Sequence, residues 1–260
     1  MLFNFFFVHL NLFGLAGDEA LYWDCSRRLA LGYYSKPPMI AYVIRALVGA
    51  GGNKEWAIRS GAILFSAGAV ILLHALTLRI TRSDRAALLA AITALVTPFL
   101  WAGSVLMTVD PILAFFWALA LYTGHRAVNG NKLMWLAAGL ALGLGMLTKY
   151  TILFLYVSFG LYLLLVDRRW WRTPWPYLAF GIAILCLAGV FYWNWANDWV
   201  SFRHTSAIGL PDRNSVGRAL GRFFEYFGVQ AGVTSPILFV LYLWGIGVCA
   251  RRLRENRDAA

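Results

Sequence analysis

A few charged residues stand where charge is costly, and each suits one part of a group transfer at a membrane surface. Asp18 and Glu19 directly follow an apolar N-terminal stretch. Adjacent carboxylates at a water–lipid boundary raise the pKa of one member, through mutual repulsion and partial burial. One of them can then take the proton of an acceptor hydroxyl. The same pair also suits a helix N-cap and a first-turn acid. Asp110 stands in Met107-Thr108-Val109-Asp110-Pro111. Aspartate before proline is an ordinary helix start. Yet this turn faces the same side as Asp18, at or just below the membrane surface, where a carboxylate is costly without a partner or water. It is a candidate second acid. Lys36 precedes Pro37-Pro38. It is either a cation held beside a rigid turn, able to meet a phosphate, or a snorkelling lysine. Lys149 interrupts residues 133–166, which are otherwise uncharged. About 16 residues at 1.5 Å each reach only about 24 Å, short of a core of about 30 Å. Lys149 is therefore expected at or below the outer headgroups, meeting a lipid phosphate or snorkelling from a helix end.

The elements that position these residues must be membrane spans. Of 260 residues, AVILMFWYC account for 60% and DEKR for 13%. Soluble domains average about 25% charged residues. A soluble fold of this size could not hide so much apolar surface, and a disordered chain would not carry it. The net charge is +11. Nucleic-acid binding would gather Lys and Arg on one face or in a run. Here they punctuate long uncharged stretches, as loops between spans do. Cys25, Cys186 and Cys249 form neither a disulfide framework nor a metal-type spacing. His204, near Arg203 and Asp198, lacks further ligands at workable spacing. His9 and His74 lie in apolar runs and suit hydrogen bonds between helices. No phosphate-cradling glycine loop or nucleophile elbow is present.

The uncharged runs are 1–17, 60–78, 86–109, 111–124, 133–148, 150–166, 173–197 and 226–250. They predict an all-α transmembrane bundle of about eight spans. No basic residue precedes the first run, which separates it from a secretory signal. The links 79–85, 125–132 and 167–172, and the tail after 250, are rich in arginine and lie on one side, expected to be cytoplasmic. The other side carries two longer segments, 17–59 and about 195–225. Residues 19–31 read as a short helix with Leu21, Tyr22, Cys25 and Leu29 on one face, stopped at Gly32. After Pro37-Pro38, the residues Met39, Ile40, Val43, Ile44 and Leu47 mark a second helix, lying in the interface.

Gly17-Asp18-Glu19-Ala20-Leu21-Tyr22-Trp23 and Gly32-Tyr33-Tyr34-Ser35-Lys36-Pro37-Pro38-Met39 resemble the first outer loop of family 39-like membrane glycosyltransferases. That group includes the protein O-mannosyltransferases and the aminoarabinose transferases acting on lipid A. Thr108–Pro111, Gly143–Tyr150, Trp193-Asn194-Trp195 and Asp198–Phe202 are similar to the bacterial members. The resemblance runs from about residue 14 to 237. It implies a GT-C bundle in the bacterial inner membrane, with its site facing the periplasm. It implies inverting transfer from a polyprenyl-phosphate sugar to a lipid, glycan or protein acceptor, at a hydroxyl or phosphate. By matching position Asp18 is the base, with Glu19 beside it and Asp110 a second acid. Lys36 and Lys149 hold the carrier phosphate. Tyr33, Tyr34, Arg59, Tyr150, Arg203 and His204 are candidate substrate contacts. Ser35 replaces an acidic residue of some relatives, which argues against a metal there. No cofactor follows, and dependence on a divalent metal stays open. Residues 1–260 are expected to form one transmembrane domain, lacking the C-terminal part of longer relatives. The competing readings are a flippase for a lipid-linked sugar and a non-catalytic truncated partner.

Overall fold

The computed structural model describes residues 2–10, 14–209 and 216–258, and every regular element among them is helical. The helices are α1 (Leu2–His9), α2 (Gly17–Arg27), α3 (Met39–Gly51), α4 (Glu55–Thr81), α5 (Asp84–Val96), α6 (Pro98–Gly103), α7 (Val109–Val128), α8 (Met134–Met146), α9 (Leu153–Leu165), α10 (Trp175–Ala196), α11 (Val200–Gly209), α12 (Val216–Thr234) and α13 (Pro236–Asp258). Short 3-10 turns cover Tyr150–Ile152 and Arg168–Arg172.

Among the described residues, α4 and α10 are each long and apolar enough to cross a membrane unaided. At 1.5 Å per residue the 27 residues of α4 extend about 40 Å. Other uncharged runs are helical but broken. Residues 86–109 divide at Thr97-Pro98, because proline pushes the preceding residue out of the helical region and donates no hydrogen bond. Residues 226–250, expected as one span, divide at Ser235-Pro236, and residues 221–234 and 236–249 meet there at 108°. Ser235 takes a left-handed φ of 78° just before the proline. Large apolar side chains such as Leu64, Ile71, Leu89, Phe154 and Leu185 face outward, as lipid contact requires.

The bundle packs through small residues, the usual means where lipid removes the hydrophobic drive between helices. α8 lies against α10 through Gly139 and Gly143. A Cβ at Gly139 would collide with the backbone of Ala179, and one at Gly143 would come 2.8 Å from Cys186 Sγ.

The two helices of the first outer loop are present, with altered faces and ends. α2 stops at Arg27, where the Arg28 amide donates to the Cys25 carbonyl. The Tyr33 hydroxyl donates to the carbonyls of Cys25 (2.9 Å) and Arg28 (3.0 Å) and accepts from the Ala30 amide, folding residues 28–33 back on the helix. α2 buries Glu19, Tyr22 and Ser26, while Leu21 and Leu29 stand outward. Of the expected apolar face, Tyr22 is buried and Cys25 half-buried, whereas Leu21 faces outward and Leu29 lies beyond the helix end. The polar anchoring of Glu19 sets the rotation of the helix. α3 buries Met39, Ile40, Ala41 and Ile44 and exposes Arg45, as its periodicity predicts. Tyr22, Ile40, Ile44, Ile58, Met107 and Ile112 belong to one buried cluster beneath the loop, joining α2, α3, α4 and α7.

Candidate active site

Glu19 builds the floor of the site. It is fully buried and accepts four hydrogen bonds. Oε1 receives the Arg59 Nε–H (3.1 Å) and the Met107 amide (2.9 Å). Oε2 receives Arg59 Nη2–H (2.9 Å) and the Ala16 amide (3.0 Å). Arg59 Nη2 also donates to the Gly14 carbonyl at 2.8 Å. One carboxylate thus joins the start of α2, the first turns of α4 and the turn before α7. Burial alone would raise its pKa. The Arg59 guanidinium and the two amides outweigh burial and hold it below the usual glutamate value. The expected rise through repulsion does not occur at Glu19, because every oxygen lone pair faces a donor. Neither Glu19 nor Arg59 is open to meet a substrate, contrary to the expectation from their positions in sequence.

Asp18, the neighbour of Glu19, is exposed. Asp110 lies in the first turn of α7, its amide donating to Thr108 Oγ1 at 3.4 Å. Its Oδ1 accepts from Lys149 Nζ at 2.9 Å. These two side chains are 32% and 39% exposed, so the pair is reachable from outside. Lys149 arrives there because α8 ends early, at Met146, and the chain turns extended at residue 149.

Tyr22 was not among the candidates, although it stands four residues after Asp18 and three after Glu19. It is almost wholly buried. Burial, and then the fields of Asp18 and Asp110, push its phenol up to about 12. Its signal in the sequence was helical spacing from the acidic pair, which reads equally as core packing.

Lys36 is half-buried between Ser35 and the buried Pro37-Pro38, and its ammonium group has no hydrogen bond or ion pair among the described residues. The Met39 amide donates to the Leu147 carbonyl at 2.9 Å. That bond ties the loop carrying Lys36 to the turn carrying Lys149. α11 closes the flank. Tyr34 packs on His204 with ring centroids 4.4 Å apart, and Tyr150 packs on Phe202 at 5.6 Å. The Tyr150 hydroxyl is buried near Ser201 without completing a hydrogen bond. Arg203 donates to the Asp198 carbonyl. Tyr33 is occupied in folding its own loop.

A groove of about 470 Å³ opens beside Asp110 and runs between α4, α5, α6 and α7. Val70, Leu73, Phe99 and Trp117 line it, and it reaches Leu121. From Asp110 to Leu121 is a rise of roughly 16 Å at 1.5 Å per residue. The Asp110–Lys149 ion pair thus stands at an apolar channel, with Lys36 on the loop tied to the Lys149 turn.

Residues 35–193 match the family model described as dolichyl-phosphate-mannose-protein mannosyltransferase. The chain belongs to this family. The matched stretch contains Lys36, Asp110 and Lys149. The chain is 34% identical over 248 residues to the lipid A galacturonosyltransferase RgtD of Rhizobium johnstonii, covering 93% of this chain and 51% of the relative. It spans about half the length of that relative. The crystal structure of ArnT from Cupriavidus metallidurans in the apo state is similar at a TM-score of 0.62 and 23% identity, covering 78% of this chain and 40% of that one. That likeness places the bundle in the GT-C fold.

Proposed function

We propose that the protein is an inverting membrane glycosyltransferase that takes its sugar from a polyprenyl-phosphate donor. The observation that carries the reading is the apolar groove opening onto Asp110, with Lys149 and Lys36 on the tied loops beside it. A long apolar chain with a phosphate at one end fits this arrangement better than a soluble nucleotide does.

In the reaction the acceptor oxygen attacks the anomeric carbon from the face opposite the phosphate. The carbon–oxygen bond to the phosphate breaks, and its electron pair leaves on polyprenyl phosphate. That group is stable as an anion, so no strong general acid is needed. Lys36, which has no partner among the described residues, offsets the growing charge, and Lys149 joins it by turning from Asp110. The acceptor proton passes to Asp18, the exposed carboxylate of the pair. Glu19 and Arg59 act as positioning residues. Tyr34, Tyr150, Arg203 and His204 flank the acceptor side.

The name of the Rhizobium relative supports a lipid acceptor. The arginine-rich links lie at the end of the bundle away from the site, which supports a bacterial inner-membrane setting with the site facing the periplasm. The 260 residues form one transmembrane domain in this reading, and no cofactor is required by the chemistry.

The test is release of radiolabelled sugar from polyprenyl phosphate in membranes, wild type beside Asp18→Asn. Asparagine keeps the helix-start chemistry but cannot accept the proton. A loss of about 100-fold or more at normal insertion is expected. Unchanged transfer would remove Asp18 as the base.

A further inference from the structure

The end of the bundle away from the site holds a second cavity, of about 390 Å³, between α7, α8, α9 and α10. Its wall is almost wholly apolar and includes Gly124, Trp135, Phe159, Gly160, Trp171 and Phe180. The proposed transfer makes no use of it. Three observations bear on what fills it.

First, the wall carries a buried donor with nothing to bond. Trp135 is 4% exposed, lines the cavity, and its indole N–H has no partner. Trp170 packs on it at 5.3 Å and is likewise buried with an unpartnered indole N–H. A buried donor without an acceptor is costly, and a native fold normally supplies one. Second, the rim is basic. Arg126, Lys132, Arg168, Arg169 and Arg172 lie at this end, and Asp167 is engaged by Arg169 at 2.9 Å. Arg172 directly follows the cavity residue Trp171 and has no hydrogen bond or ion pair among the described residues. Third, the volume is open at a glycine. A Cβ at Gly160 would meet nothing within 4 Å.

An apolar slot with an unpartnered indole donor in its wall, at an end of the bundle rich in arginine, matches one molecule class. We infer that this cavity binds an anionic phospholipid. One acyl chain lies along Phe159, Gly160 and Phe180. An ester or phosphate oxygen accepts from Trp135, and the phosphate charge meets Arg172. Basic pockets between spans are a known physical basis for selecting anionic headgroups. The site is separate from the donor groove, which opens at the other end of α7 and shares no lining residue with it. The inference does not depend on the transfer reaction.

The experiment is native mass spectrometry of the detergent-purified protein, titrated with dioleoylphosphatidylglycerol or dioleoylphosphatidylcholine. Wild type is expected to retain one phosphatidylglycerol at least five-fold more tightly than phosphatidylcholine. Gly160→Leu places a side chain in the slot and should weaken phosphatidylglycerol at least ten-fold. Arg172→Gln should erase the preference between the two lipids while keeping a bound chain. Trp135→Phe keeps the ring and removes the donor, and should weaken both lipids. It serves as the test of the slot if Gly160→Leu does not fold. Equal binding of the two lipids by wild type would overturn the inference. So would undiminished phosphatidylglycerol binding in a folded Gly160→Leu or Trp135→Phe protein.

Discussion

Replacing Glu19 by Gln tests whether the floor of the site is electrostatic. The substitution changes shape little but leaves the Arg59 guanidinium, with a side chain 7% exposed, without its counter-charge. The four donors aimed at Glu19 come from Arg59, Ala16 and Met107. A glutamine amide offers one oxygen and turns an NH2 group toward two of those donors. Breaking a buried pair by removing one partner costs about 3–5 kcal/mol. At about 2–4 °C per kcal/mol for a chain of this size, the melting temperature should fall by roughly 10 °C. The pair Lys149–Asp110, one-third exposed, should contribute at most about 1 kcal/mol by the same measure. Thermal unfolding in detergent, comparing Glu19→Gln with Asp110→Asn, reads the difference. The pH dependence gives a second check. The folded pKa of Glu19 is lowered, so its stabilisation is complete above the unfolded value of about 4.3 and is lost as pH falls through the lower folded value. Glu19→Gln should remove that acid-side loss. A drop of under 1 kcal/mol, or an unchanged acid limb, would refute the hub as described.

Lys36→Met should lower sugar transfer by about 100-fold with little change in melting temperature, since the ammonium group holds no other part of the fold; transfer assays beside thermal unfolding check both. Ala114→Trp, set in the wall of the groove beside Asp110, should abolish use of long-chain donors while a short-chain donor such as citronellyl phosphate-sugar is still turned over. Gly139→Leu drives a side chain into the Ala179 backbone and should cost about 3 kcal/mol or prevent insertion, measured by folded yield in detergent. Tyr22→Phe should leave the fold intact yet change the pH profile of transfer, because it removes a buried phenol that feels the charges of Asp18 and Asp110.

Much of this was legible in the sequence, for stated physical reasons. Charge is rare in the chain, so each interruption of an apolar run marked a turn. Lys149 lies at such a break, and Asp110 sits in the first turn of a helix, though Thr108 rather than Asp110 is its cap. What could not be read were partners distant in sequence. Nothing local tells that Glu19 meets Arg59 and the amide of Met107, or that Lys149 reaches Asp110 before any phosphate. The face of α2 was misread in part for the same reason. Helical spacing ranks apolar residues, but here a buried glutamate decides the rotation and sends Leu21 outward. The division of 226–250 was foreshadowed by Pro236, but hydropathy alone hid it.

The bond from Met107 to Glu19 and that from Met39 to Leu147 also set an order of assembly in time. Glu19 must wait for an amide 88 residues downstream. At about 5–20 residues per second, that delay is roughly 4 to 18 s of synthesis. During it the buried acid has only Arg59 and the neighbouring Ala16 amide within reach. The strap from Met39 closes later still, once Leu147 has emerged. A ribosome that pauses between α4 and α7 would therefore hold the Glu19 hub half-made.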